Sequence, residues 1–394
     1  MNKKCRLDLA IVTNESIPVG MAATNRILSY SKALAKSYKV KIYIPKPTED
    51  IEKPLNLNIK GAIDNIEYEY VYGDTIWPYE KSKLKKIGII LNGYFKLIKC
   101  LFRDKPKTIL LYSSSFTLRL LIIMLRQFIC FRLIIEENEY PKILRSTNKF
   151  LIRIHLSVYK HADGMVVMTK ELLDYYRKIN VNNIFILPMT VDSTRFTNKS
   201  EIGFSFEYFI YVGGNGGFVR DGVLDIVKAY KYLTDGFPNI KLVIVGPIGK
   251  KGKVFVEIQN YLRKHNLENN VVFMGSKPSN EIPIFLQNAL GVVMAPPKNF
   301  SSGGFPTKLG EFLASGTPVI TTKVSDIPLF LNDSNSFTVD PQNVVGIYEA
   351  MKWIITNKER ALAIGANGKA LALSCFNVEK YLSDLVDFFN LKTR

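Results

Sequence analysis

SSGGFPTKLGEFLASGTPVITT, residues 301–322, is the stretch on which the reading of the fold turns. A loop of small residues runs into Pro306, which suits the first position of a helix because it lacks an N–H that would have no partner there. Gly316 and Pro318 stop the helix again. Leu309, Phe312 and Leu313 form its apolar stripe, so Thr307, Lys308 and Glu311 fall on the other side, about one turn apart. A hydrophobic core does not explain an acid placed there. It is either a solvated surface carboxylate or a ligand contact, and its position one turn after a glycine-rich loop favours the ligand. The strand-like GVVMAP just before the loop makes the whole stretch a strand, loop, helix and strand passage.

The same grammar extends in both directions. LDLAIV, GMAATNRILSYSKALAKS and KVKIYI open the chain, and YFIYVG, DGVLDIVKAYKYL, IKLVIVG, KVFVEIQNYLRKH and VVFMG repeat the alternation in its second half. Strands alternating with helices predict parallel α/β sheets. At 394 residues the chain fits two domains, and 47% hydrophobic residues can fill both cores. The expected division is 1–198 and 199–375, joined at the polar TNKSEIGFS, with a final helix at 376–394 packing back on the first domain. Asp8 interrupts an apolar lead too short for a signal peptide, which points to a cytoplasmic first strand. Four cysteines without a CxxC pair argue against a zinc site and against a disulfide framework.

The net charge of +18 is unevenly spread. Residues 1–200 hold 33 Lys/Arg against 18 Asp/Glu, and residues 201–394 hold 20 against 17, so the balance is +15 in the first part and +3 in the second. Residues 81–107 carry nine Lys/Arg and one Asp, with Leu84, Ile87, Leu91, Phe95, Ile98 and Phe102 three or four apart. This is a basic amphipathic helix. It reads either as a core helix with a solvated lysine face or as one that lies on an anionic membrane surface. The aromatics are not interleaved with the basic run as in a nucleic-acid module, so no nucleic-acid partner is expected.

In an open parallel sheet ligands sit at the carboxyl ends of strands, where loops lead into helix N-termini. Three loops qualify. In residues 13–27, Gly20 lets the backbone approach a phosphate at the start of the following helix. In YVGGNGGFVRDGVLDI, residues 211–226, four glycines in seven residues precede Arg220, whose planar donors suit phosphate oxygens. The third is the loop before Glu311. A different acidic loop, IIEENEYP, puts Glu137 and Glu139 at a strand's carboxyl end, suited to an acceptor hydroxyl or merely to a solvated turn before Pro141.

GGFPTKLGEFLASGTPVI resembles the signature of the retaining GT-B glycosyltransferases of family 4, the glycosyl transferases group 1. The VGMAATNRI loop, ADGMVVMTKELLDYYRK, NNIFILPMTVDSTRF, the IYVGG and VRDG segments, IKLVIVG, NNVVFMGS and CFNVEKYL are similar to the same family, so the resemblance spans nearly the whole chain. It implies an α/β GT-B fold, two Rossmann-like doubly wound domains facing across a cleft, with a nucleotide-diphosphate sugar held mainly by the second and an acceptor by the first. Carried over by position, Glu311 would hold the ribose hydroxyls and Arg220 the diphosphate. Gly20 would lie beside the donor phosphates. Phe305, Pro306 and Thr307 would meet sugar and β-phosphate through backbone, with Lys308 as a further phosphate contact. The family's first acid falls at Gly303, and its other basic donor residue at Gly214 or Asn215. A catalytic-side histidine is missing from the first domain, where Glu137 and Glu139 become the candidate catalytic acids.

Departure of a diphosphate needs its developing charge stabilised. Arg220, Lys308 and helix N-termini supply that without a D-x-D metal motif, so neither metal nor cofactor is expected. The expected activity is retaining transfer to a glycan or lipid-linked acceptor in surface polysaccharide synthesis, at the inner face of the membrane. A nucleotide-sugar epimerase on the same fold, or a catalytically weakened nucleotide-sugar-binding partner subunit, are the alternatives.

Overall fold

The computed structural model describes residues 7–52, 54–79, 82–197, 203–213, 217–247, 252–298 and 303–390. The chain divides into two units, Met1–Thr190 with Val378–Arg394, and Val191–Asn377.

The first unit is built on eight strands: β1 (Leu9–Thr13), β2 (Val40–Ile44), β3 (Lys60–Ile63), β4 (Ile66–Tyr70), β5 (Thr108–Tyr112), β6 (Arg132–Glu137), β7 (Gly164–Val167) and β8 (Ile184–Ile186). Their order is β3-β4-β2-β1-β5-β6-β7-β8, parallel throughout except for β3 against β4. That antiparallel edge is a tight hairpin, because Asp64 and Asn65 both take positive φ, the pair of angles that a two-residue turn between twisted strands needs. Buried on both faces, β1 reads as unbroken apolar sequence rather than alternation. Helices Lys83–Asp104 and Phe116–Leu125 cover one face through Leu97, Leu101, Leu118 and Ile122. Helix Ala22–Ala35 covers the other, together with Leu385, Val386 and Phe389 of the C-terminal helix Leu382–Phe389. Thr108 donates to the Phe389 carbonyl at 2.7 Å, and Lys36 pairs with Glu379. The last turns of the chain thus belong to the first core.

The second unit has six parallel strands: β9 (Tyr208–Val212), β10 (Lys241–Val245), β11 (Val271–Gly275), β12 (Gly291–Val293), β13 (Val319–Thr322) and β14 (Phe337–Val339), in the order β11-β10-β9-β12-β13-β14. Helix Lys358–Cys375 follows. The stretch Lys358–Phe389 has the length and apolarity of a membrane span. Its small residues are nonetheless used for packing, since a Cβ on Gly365 would stand 2.4 Å from the Gly316 carbonyl oxygen.

Each sheet has one place where neighbouring strands send their connections in opposite directions, β1/β5 in the first and β9/β12 in the second. Such a switch point opens a crevice at the strands' carboxyl ends. In the second unit the two loops there are knitted together. Ala295 N–H donates to the Asp221 carbonyl at 2.9 Å, and Gly222 sits at φ +66° against the Ala295 carbonyl, where a Cβ would lie 1.9 Å from the oxygen. Left-handed backbone costs an L-residue about 1–2 kcal/mol, and overpacking a similar amount. Gly222→Ala should therefore lower stability by about 2 kcal/mol or more in urea denaturation. An unchanged midpoint would refute the close approach of the two loops.

Candidate functional site

The crevice of the second unit is organised around a residue the sequence reading passed over. Asp221 is 2% exposed. Its Oδ2 accepts from the Tyr211 hydroxyl at 2.8 Å and from Lys308 Nζ at 2.6 Å, and its Oδ1 lies 3.3 Å from Arg220 Nε. Two of the expected donor-binding cations, Arg220 from the glycine loop and Lys308 from the helix after Pro306, therefore meet on one carboxylate. Burial pulls the Lys308 ammonium below the ordinary lysine range, and the Asp221 charge pulls it partly back. Tyr211 is held well above the ordinary tyrosine range, first by burial and then by Asp221. Arg220 keeps 49% of its side chain exposed, so its guanidinium is available to solvent or to an anion. Gly217 packs against this cluster, with its missing Cβ 2.5 Å from the Tyr211 oxygen. A carboxylate next to Arg220 in a glycine-rich loop was the available clue.

One turn along the same helix from Lys308 stands Glu311, on the first turn of Lys308–Ala314 and near enough for its charge to act on the Lys308 ammonium. Its carboxylate is paired with Arg195 Nη1, while Arg195 Nη2 donates to Ser279 Oγ at 3.0 Å and to the Ser279 carbonyl. Arg195 lies in the short 3-10 turn Ser193–Phe196, capped by Asp192 accepting from Thr194 N–H. No local signal announces a pair separated by 116 residues.

Gly303 is buried and takes φ +69°. The position where the resemblance placed an acid is thus held in backbone that L side chains avoid, and a glutamate there would be strained. Phe305 is buried, its ring 5.8 Å from Phe330 and 5.9 Å from Phe376, so only its backbone can face a ligand. Ser325 holds the loop by donating to the Gly304 carbonyl at 2.9 Å. Thr307 is half-buried and makes no side-chain cap for the helix it precedes. Asn215 lies outside the described residues.

In the first unit Gly20 is required by its own loop. A Cβ would come 2.1 Å from Thr24 Oγ1, which itself donates to the Ser16 carbonyl at 2.7 Å. The loop is pinned further by Asn56, bonded to both backbone groups of Val19, and by the Tyr70 hydroxyl on Ile17. The acidic loop after β6 differs from expectation. Glu137, a candidate catalytic acid, is buried in an ion pair with Arg119 and accepts from the Tyr159 hydroxyl at 3.1 Å. Glu136 pairs with Arg26 at 2.6 Å, and Arg26 also donates to the carbonyls of Pro188 and Leu187. Desolvated charge needs a partner, and these carboxylates have theirs inside the fold. Glu139 stands exposed on the bend beyond.

The acid at the mouth of this switch point is Glu15, directly after β1, which the sequence reading did not single out. Burial raises its pKa, against the pull of Lys46 and Lys142. Beside it Asn14 donates to Ser113 Oγ at 2.7 Å, and Asn138 to the Tyr112 hydroxyl at 2.8 Å. Both asparagines keep a buried amide oxygen with no partner among the described residues. Buried acceptors of this kind need an explanation, and hydroxyl groups of a bound molecule would supply donors.

Lys308→Met leaves the Asp221 charge buried with weaker partners and should cost about 3 kcal/mol, most of it restored in Lys308→Met/Asp221→Asn. Equal loss in the single and double variants would show that the pair is not coupled. Because the folded state holds a proton on Glu15 more tightly than the unfolded chain, its contribution to stability falls as pH rises above the unfolded carboxyl value. Glu15→Gln should raise the melting temperature at pH 7 and flatten its decline between about pH 4.5 and neutrality; an unaltered profile would remove Glu15 from that role.

Known proteins are similar in both sequence and fold. Residues 203–371 match the family described as glycosyl transferases group 1. An uncharacterized glycosyltransferase of Methanocaldococcus jannaschii is 24% identical over 291 residues, a match covering 67% of this chain and 66% of that protein, just under two thirds of its length. Sucrose-phosphate synthase from Thermosynechococcus elongatus superimposes with a TM-score of 0.74 at 15% identity, over 98% of both chains. HepE of Anabaena, solved in complex with UDP and glucose, gives 0.70 at 12% identity over 97% of this chain and 99% of its own. The chain thus has the GT-B fold, two parallel α/β units of this topology, and its match to the glycosyl transferases group 1 lies on the unit that holds Asp221, Lys308 and Glu311.

Proposed function

We propose that this protein moves a sugar from a nucleotide-diphosphate donor to a glycan or lipid-linked acceptor, with retention of configuration and without a metal, in the synthesis of a surface polysaccharide in the cytoplasm. The observation that carries the donor assignment is the convergence of Arg220 and Lys308 on one side of the second crevice, with Glu311 one turn along the same helix as Lys308. Cations at one end and a carboxylate at the other suit a nucleoside diphosphate, in which diphosphate and ribose are joined at a fixed spacing. UDP bound to HepE supports the same donor class.

In this reading Arg220 and Lys308 take the charge that grows on the leaving diphosphate, a task that fixed cations in a partly dry site perform without reorganising. Asp221 holds Lys308 in place while the site is empty. When a diphosphate arrives, the ammonium is shared between two anions, and burial strengthens both attractions. Glu311, steadied by Arg195, accepts from the ribose hydroxyls. Gly303 and Gly304 present backbone to the sugar where a side chain would intrude. Retention follows if the acceptor attacks from the face the phosphate leaves, with a phosphate oxygen taking the proton. That route needs no carboxylate nucleophile, in keeping with Glu137 being committed to Arg119. On the first unit, Glu15 and the amide oxygens of Asn14 and Asn138 receive acceptor hydroxyls.

Calorimetric titration with a panel of nucleotide sugars tests the donor half. Glu311→Ala and Arg220→Ala should each weaken binding about tenfold or more, in the range of lost charge-assisted hydrogen bonds. Full affinity in both variants would overturn the assignment. Proton NMR of the first-formed product reads the anomeric configuration, and an inverted linkage would overturn retention.

A further inference from the structure

The helix Lys83–Asp104 has two apolar faces. Ile89, Gly93, Tyr94, Leu97, Cys100 and Leu101 are buried against the sheet. Of the six apolar residues whose spacing read either as a core stripe or as a membrane face, Ile98 packs against the core and the other five point the opposite way: Leu84 is 81% exposed, Leu91 61% and Phe95 57%, with Ile87 and Phe102 also exposed. This overturns the reading of a core helix whose solvent face is purely lysine. A helix on a globular surface normally turns polar residues outward, and a continuous apolar strip facing water marks an interaction surface.

Its chemical surroundings identify the partner. At about 100° per residue, Lys85, Lys96, Lys99 and Arg103 fall on one flank of the strip; Lys96 donates to the Tyr72 carbonyl and Arg103 pairs with Asp104, while Lys99 lies over the Phe95 ring at 4.4 Å from its centroid. Residues 82–161 hold 16 Lys/Arg and four acids. Three of the four acids are engaged: Asp104 with Tyr43 and Arg103, Glu136 with Arg26 and Glu137 with Arg119. The neighbouring helices Phe116–Leu125 and Lys149–Ser157 carry no acid, and they add exposed Met124 and Phe150. Two copies of such a face would bring like charges together, and a nucleic acid would leave the apolar strip in water. An anionic bilayer satisfies both halves, taking apolar side chains among its acyl chains and lysines at its headgroups.

We propose that the outward face of helix Lys83–Asp104 lies on an anionic lipid bilayer, parallel to its surface, with Leu84, Leu91 and Phe95 inserted and the lysine flank at the headgroups. This goes beyond the donor assignment and is independent of it.

Vesicle co-sedimentation tests it with phosphatidylcholine alone and with an equal mixture of phosphatidylcholine and phosphatidylglycerol. The full chain should bind the anionic vesicles at least about tenfold more strongly, with the preference falling as salt is raised. Leu91→Ser/Phe95→Ser should lose about tenfold or more on the anionic vesicles, and Lys85→Glu/Lys99→Glu should abolish the preference. Both variants should keep wild-type circular dichroism and nucleotide-sugar binding, which separates this face from the donor crevice. In Phe95→Trp the indole fluorescence should shift to the blue when anionic vesicles are added. The proposal fails if binding to the two vesicle types is equal, if the emission of the Phe95→Trp variant does not move, or if light scattering shows that the Ser variants instead dissolve a dimer.

Discussion

Burying the Asp221 carboxylate sets a condition that its neighbours have to meet. A charge removed from water costs several kcal/mol unless partners replace the lost hydration. Here the partners are Tyr211 near the end of β9, Arg220 on the adjoining turn and Lys308 at the start of the helix that follows β12. The backbone repeats the connection, through Ala295 N–H on the Asp221 carbonyl and the absent side chain of Gly222. Charge and sterics therefore hold the two loops of the second switch point in one register before any ligand arrives. The cations are held by a carboxylate they share and keep their geometry, which is what a site needs if binding is to cost little ordering.

The first unit solves the corresponding problem differently. Its switch-point loops are tied by hydrogen bonds of neutral groups, Asn56 on Val19, Tyr70 on Ile17 and Asn14 on Ser113, and its buried arginine–glutamate pairs are placed one strand further along. Arg26 and Arg119 reach Glu136 and Glu137 from opposite faces of the sheet, each also donating to main-chain carbonyls. Neighbouring residues on a strand point to opposite faces, so two adjacent acids can be neutralised by two unrelated helices. The end of β6 is thereby made rigid at the edge of the crevice where Glu15 stands.

Much of this was legible beforehand. The alternation of strands and helices and the glycine loops depend on local sequence, and they led to the right fold class and to Arg220, Lys308 and Glu311 as residues sharing one crevice. What was not legible depends on distance along the chain. Arg195 meets Glu311 only because the sheet folds them together, and nothing near either residue advertises it. Glu137 read as a candidate catalytic acid or as part of a solvated turn, and only the helices packed on either face show it and Glu136 to be buried pairs. The strip Leu84, Ile87, Leu91 and Phe95 had the period of a buried stripe, yet periodicity gives a face without saying which way it looks. The competing face, Ile89, Tyr94, Leu97 and Leu101, was just as periodic and won the core.

The return of the C-terminal segment to the first sheet has a consequence for synthesis. Leu110, Ile134 and Val166 share a core with Leu385, Val386 and Phe389. The ribosome delivers those last residues only after the whole of Val191–Asn377 has emerged. The N-terminal unit must wait with one flank of its sheet uncovered while the later unit completes itself, so the part made first is finished last.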